Sequence, residues 1–327
     1  MIFSCDDRFE ELKRQYPELF TRNFEDFCEQ QIFPLLKNKK RDQIKKKSPK
    51  LSTYLYLICG VFGGVFISLF FLNTLLKFTI SIAILINIYL FTHLYRILTS
   101  EFIVKIQRKE QILPKLFSLF SNCKYVTDKK EINNFKLYLN KIFLLKNQDN
   151  NIYFHCEDFF EIKYNNLPID LCELLIITGK KKNTQYEHAI FYRIKTKKFF
   201  FGKTFIQKRN NYVKTGLGEK VELESAKFNK LFDVRTTNQT EARLFLTTAF
   251  MTRLIKFNSS FFSENFAISF EQGYMNIYFN MTDYNSFELD KISLKRKEEL
   301  LNTLRSIIIE LWTYLSLVDD LKLENIV

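Results

Sequence analysis

Apolar positions in the first hundred residues fall into two unbroken runs. Positions 51–72 carry no charge, and 78–95 form a second uncharged run with Asn87 and His93 its strongly polar positions. As a helix rising 1.5 Å per residue the first run reaches about 33 Å, enough to cross a hydrocarbon core of about 30 Å. The second is long enough to cross with little tilt. The short segment between them (73–77) can only reverse the chain, so the pattern predicts a transmembrane helical hairpin over 51–95. Neither run contains an acidic side chain, which fits an anchor better than an ion or proton path. Gly60 and Gly64 form one GxxxG match, suited to close packing within the hairpin.

Elsewhere the apolar period is helical, then that of strands. Phe9, Leu12 and Tyr16 share a face before Pro17, and Phe20, Phe24 and Phe27 share another. Residues 1–50 therefore read as an amphipathic helical segment followed by a basic juxtamembrane stretch. Eight acids against four bases over 1–36 disfavour flat adsorption on anionic lipid, so the apolar faces are expected to pack on protein. After the hairpin, the spacing predicts helices over 101–120 and 133–145. Short β-branched and aromatic segments follow at 152–164, 171–178, 189–197 and 199–207. In the third, Ile190, Tyr192, Ile194 and Thr196 share one face, and Arg193, Lys195 and Lys197 share the other. That predicts a half-buried antiparallel strand with a basic outer face.

A helix is expected over 238–257, capped by Asn238 with Glu241 in capping-box position. Segments 266–270 and 274–279 form a hairpin across 271–273. A long helix closes the chain from Ser293 to about Asp319, where Leu301, Leu304, Ile308, Leu311, Leu315 and Val318 make a seam. Docking on the sheet is the first use of that seam, and self-association into a homo-oligomer the second. The expected fold class is α+β: a two-helix transmembrane hairpin, then a domain over 96–327 of antiparallel sheet with packed helices and a long C-terminal helix. A segment of that length can bury a sizeable core.

Charge sets the expected orientation. The chain carries net +13, and residues 37–50 hold eight Lys/Arg and one acid directly before the first run. Arg96, Lys105, Arg108 and Lys109 follow the second run, while the turn has only Lys77. The positive-inside rule puts both termini in the cytoplasm, with the hairpin in the membrane and its short turn outside. No apolar region lies near Met1, so no cleavable signal peptide is expected. Lys45, Lys46, Lys47 and Lys50 are placed to contact anionic headgroups. Residues 180–214 hold eleven Lys/Arg and one Glu, interleaved with Phe199, Phe200, Phe201, Phe205 and Tyr212. A solvated strand face is the commonest use of such a stretch. Contact with an anionic membrane through Arg193, Lys195 and Lys197 comes next, and a single-stranded nucleic-acid platform last.

The search for chemistry returns little. Six cysteines without a CxxC pair exclude a disulfide framework or zinc ribbon and suit a reducing compartment. His155, Cys156, Cys172 and His188 match no ligand spacing, so neither metal nor cofactor is expected. The TGLGEK stretch lacks the spacing and terminal Ser/Thr of a phosphate loop and reads as a turn. Glu222, Glu224, Asn229, Arg235 and Glu241 cluster in sequence and leave an enzyme as an alternative, although packing and capping explain them more simply. No catalytic residue is assigned.

The block Leu223-Glu224-Ser225, Phe228-Asn229, Phe232 and Val234, then Glu241-Ala242 and Leu246-Thr247, is preceded by Phe201-Gly202 and followed by Phe287-Glu288. It resembles a bacterial domain-of-unknown-function family of membrane proteins with two transmembrane helices. That family's pattern is LES-x-x-FN-x-x-F-x-V followed by EA-x-x-x-LTP, and Thr248 stands where the proline is expected. The specific motifs cover a small part of the chain, and the resemblance implies no activity; the motif residues suit a packed strand–turn–helix. The function expected is a membrane-anchored, cytoplasmic, non-enzymatic module binding another protein or the inner leaflet. The alternatives are a membrane-active effector acting through oligomerised hairpins, or an enzyme with an unrecognised membrane-proximal site.

A C-terminal alkaline phosphatase fusion should be inactive, and a fluorescent protein fused at either end should be bright. An active phosphatase would invert the topology.

Overall fold

Residues 5–15, 23–35, 88–89, 109–142, 152–179, 184–209, 218–260, 266–281, 286–289 and 297–323 are described by the computed structural model. Met1–Glu25 with Leu113–Val327 form one compact unit and Asp26–Ile112 a second. Helix α2 (Phe24–Phe27) runs into a π-helical turn at Cys28–Ile32, and in the second unit Phe27, Cys28 and Ile32 are buried. The predicted hairpin lies outside the described residues except for Ile88 and Tyr89, as do Lys45, Lys46, Lys47 and Lys50. Among the described residues no helix is long and apolar enough to cross a membrane.

The first unit is built on one antiparallel sheet. Its strands are β1 (Cys123–Tyr125), β2 (Ile152–Tyr164), β3 (Leu167–Thr178), β4 (Gln185–Lys195), β5 (Thr204–Lys208), β6 (Glu219–Lys220), β7 (Phe232–Thr236), β8 (Phe266–Glu271) and β9 (Tyr274–Met281). They lie in the order β1-β2-β3-β4-β9-β8-β5-β7-β6. The β2–β3 hairpin turns on Asn165 and Asn166, both at positive φ (50° and 61°), the conformation a two-residue turn needs and Asn tolerates. Strand β3 consequently starts at Leu167 rather than Leu171, with Pro168 accommodated beside the turn, opposite Lys163. Strand β4 starts at Gln185, not Ala189: its polar first residues are recruited by pairing with Leu175, Ile176, Ile177 and Thr178.

Both faces of the sheet are covered. On one, Phe160, Ile169, Leu171, Ile190, Tyr192, Ile194, Ile268, Phe270, Ile277 and Phe279 are buried, and register puts cross-strand partners on a common side. Here lies α8 (Lys297–Leu321), where the Tyr192 hydroxyl donates to the Tyr314 carbonyl at 2.9 Å. The predicted seam is buried, and the contacts with sheet residues come from Tyr314 and Trp312 outside it; Ile307 and Leu317 are buried as well. Helix α1 (Cys5–Gln15) packs on α8, its Phe9 buried beneath Arg305, in keeping with an apolar face meant for protein. A short helix α3 (residues 109–117) brings Phe117 edge-on to Phe160.

On the opposite face, α4 (Lys129–Leu139) buries Phe135 and Leu139 against Phe159, Cys172, Leu174 and Phe191. It begins ahead of the predicted start because Asp128 caps it, accepting from the Lys130 amide at 2.8 Å. Beyond β5 come α5 (Ala226–Leu231), α6 (Gln239–Phe245) and α7 (Thr248–Ser260). The expected single helix 238–257 is thus two. Leu246 leaves the helical region (φ −80°, ψ 55°) and the Thr247 hydroxyl accepts from the Phe250 amide to start α7 afresh. Thr248 is then the first residue of α7, where a family proline would fit without losing a hydrogen bond.

Arg193 does not stand on an open basic face as the alternation predicts. Its guanidinium bonds Asp170 (Nε to Oδ2, 2.6 Å) and lies 4.6 to 5.3 Å from the ring centres of Phe135, Tyr138 and Tyr274. Covering by α4 explains the difference: a strand read as half-buried is enclosed on both sides at this row. Burial pushes the Asp170 carboxyl above its usual range, against the opposing pull of Arg193. Lys195 and Lys197, by contrast, are exposed. Arg193→Glu should cost about 3 kcal/mol or more in denaturant unfolding, since it sets two carboxylates together under a helix. Lys195→Glu and Lys197→Glu should each stay within about 0.5 kcal/mol of the parent chain.

Candidate functional site

The loop from Thr196 to Lys203 joins β4 to β5 and carries two exposed phenylalanine rings; the other strongly exposed aromatics among the described residues of the first unit, Tyr153 and Tyr186, lie on β2 and β4. The sequence predicts a strand from Phe199, yet residues 199–203 are irregular, because Glu241 of α6 and Thr237 just before it take the backbone amides of residues 201–203. The Glu241 carboxylate accepts from Phe201 N at 3.0 Å and Gly202 N at 2.7 Å. Thr237 Oγ1 accepts from Lys203 N at 2.8 Å. Glu241 is in capping-box position, and Asn238 Oδ1 does accept from its amide at 3.2 Å. The reciprocal half of the box is missing, because the Asn238 amide goes to Thr236 Oγ1 and the Glu241 side chain serves the loop. Gly202 is required here: a Cβ would stand 2.6 Å from Asn238 Cβ and 2.9 Å from Glu241 Oε2.

Pinned in this way, the loop points its aromatics in opposite directions. Phe200 is buried, edge-on to Phe245 and Phe270. Phe199 and Phe201 face outward, 63% and 89% exposed, with ring centres 5.6 Å apart. Leu244 on α6 is 75% exposed. A cleft of about 200 Å³ lies alongside, lined by Lys198, Phe199, Leu244, Thr247 and Arg253 among others. Lys195, Lys197 and Lys198 are exposed around the loop, and Lys203 reaches Glu271 at 3.6 Å. Exposed aromatic rings and exposed lysines thus lie close together along the chain at this loop.

Of the three contact residues expected on this strand, Lys195 at the end of β4 and Lys197 in the loop are exposed, while Arg193 is engaged by Asp170; Lys198, Phe199 and Phe201 of the loop and Leu244 of α6 are exposed as well. The signal available in the sequence is Gly202 behind three phenylalanines, a combination that fits a tight loop better than a strand. Several other polar residues of this stretch have local partners. Ser225 Oγ accepts from the Phe228 amide, and Asn229 bonds both backbone groups of Leu223. Arg235 pairs with Asp233, and Glu222 with Lys220. Phe287 is fully buried at φ 55°, its amide held by Glu310 Oε2 at 2.7 Å.

These features define an antiparallel α+β domain with one rigidly held, basic and aromatic loop. Residues 188–323, from β4 through α8, match the family model described as Protein of unknown function (DUF3137). The match agrees with the resemblance to a domain-of-unknown-function family and brings no activity with it. No curated protein and no solved structure matches the chain.

Gly202→Ala and Glu241→Ala should both release the loop, each at about 1–3 kcal/mol for unsatisfied amides or displaced contacts. Hydrogen exchange should show the Phe201 and Gly202 amides losing protection while those of β4 keep theirs. Unchanged protection in Glu241→Ala would mean another group holds the loop.

Proposed function

We propose that this chain is a membrane-anchored, non-enzymatic module that seats its α+β domain on the anionic inner leaflet through the β4–β5 loop. The observation that carries the reading is the pair of exposed rings, Phe199 and Phe201, held by Glu241 among Lys195, Lys197 and Lys198. A lysine near an anionic surface contributes about 1 kcal/mol, and a phenylalanine about 2 kcal/mol when its ring is fully buried. At most they sum to about 7 kcal/mol, a weak and reversible association for a free domain. They are enough for a domain already tethered, because an anchor in the same chain turns docking into an intramolecular step. The two uncharged runs at 51–72 and 78–95 supply that anchor in this reading, with both termini cytoplasmic.

Trp312 is the single tryptophan and is buried, so Phe201→Trp adds one exposed reporter. In the full chain reconstituted with anionic lipid, its emission should shift to the blue and be quenched by brominated acyl chains. About 0.5 M salt, or combined Lys195→Glu, Lys197→Glu and Lys198→Glu, should reverse both effects, because screening acts over about 8 Å or less. Water-like emission in anionic and neutral bilayers alike would sink the proposal. Shielding without quenching by brominated lipid would point to a protein partner on the same patch.

A further inference from the structure

At the far end of the α8 face, strands β2, β3 and β4 bring together donors that are scattered in sequence. Pairing sets Leu175 opposite His188 and Glu173 opposite Ile190, so Glu173 and His188 share one face of the sheet, one row apart. On β2 the register slips between Cys156 and Asp158. The extra residue is Glu157, and a bulge of this kind re-aims a side chain that strict alternation would place elsewhere. Donor atoms of Glu157, Glu173 and His188 all lie within 4.8 Å of one another.

We propose that these three residues bind a divalent transition-metal ion of the zinc class. His188 Nδ1 is out of contact with solvent and makes no hydrogen bond, standing 3.5 Å from Glu157 Oε2. That is long for a direct N–H···O bond. It suits two ligands of one ion, since bonds of about 2.0–2.2 Å in tetrahedral geometry separate donors by about 3.3–3.6 Å. Glu173 is 1% exposed and anchored, its Oε1 accepting from Ser286 N at 2.7 Å, so one carboxylate enters the site already oriented. The His188 and Glu157 side chains are 27% and 20% exposed, leaving a side open for entry and for a water in the fourth position. One imidazole with two carboxylates favours zinc, cobalt or manganese over calcium or magnesium, which call for six or more oxygens.

Neighbouring groups are committed elsewhere. Asp158 accepts from the Tyr125 hydroxyl at 2.7 Å, Glu187 from the Tyr278 hydroxyl, and His155 is exposed. Of His155, Cys156, Cys172 and His188, which share no ligand spacing in the sequence, only His188 joins this set. Cys156 and Cys172 belong to the opposite face, beneath α4.

The test uses the full chain in detergent, stripped with a chelator and titrated with Co²⁺. One equivalent should bind with weak visible d–d bands and no intense thiolate charge-transfer band, and Zn²⁺ should displace it. Glu157→Gln and His188→Asn should each weaken binding by more than about 100-fold, beyond the loss of a merely supporting residue. Metal-free melting should stay unchanged, and Glu157→Asp, which keeps the carboxylate, should retain binding. No uptake of Co²⁺, a strong thiolate band, or retention by the Glu157→Gln/His188→Asn double variant would each overturn the site.

Discussion

Carboxylates that accept from backbone amides hold the irregular segments of this domain in place. Glu241 takes the amides of Phe201 and Gly202, Glu173 takes that of Ser286, and Glu310 that of Phe287. A loop amide turned inward has no strand to pair with and is costly to leave alone. A charged acceptor answers it with about 1.5–3 kcal/mol per bond. The segment around Phe287 shows the consequence most clearly. A buried aromatic at positive φ is an uncommon conformation, and here the amides on both sides of Ser286 Cα are fixed by acids from β3 and α8. The loop that carries Phe199 and Phe201 owes its shape to the same device.

Much of the sheet is legible in the sequence because alternation survives covering. Ile190, Tyr192 and Ile194 fall on the core face of β4 by alternation and are buried, and the β8–β9 turn falls at Gln272 and Gly273 as spacing indicates. The other side of the same strand is not legible. Arg193 alternates with apolar residues just as a solvated cation would, and nothing local announces that α4 brings Phe135 and Tyr138 over it. Cation–π stacking and pairing with Asp170 are contacts between elements far apart in sequence, so a local pattern cannot carry them.

The two candidate sites divide along the same line. Lys195, Lys197 and the phenylalanine run are visible as composition. The outward turn of Phe199 and Phe201 is not, since it depends on Glu241, an acid from a separate helix. Glu157, Glu173 and His188 cannot be grouped from spacing, because their convergence rests on a bulge and on two strand registers. Short elements escape for the opposite reason. Strand β7 and the break between α6 and α7 are each decided by one or two residues, Leu246 and Thr247 in the second case, beneath the reach of any periodic pattern.

The sheet ends in strands of three residues at β1 and two at β6, the second being Glu219-Lys220. Past the pairs with β1, the outer edge of β2 is interrupted by the bulge at Glu157. Edges this short, charged or kinked make poor templates for strand addition by a neighbouring molecule. A chain with 36 phenylalanines and 16 tyrosines would otherwise be prone to β-aggregation at high density. Among the described residues, protection against strand addition thus falls to the two ends of the sheet, where shortness and charge do what a covering element would do elsewhere.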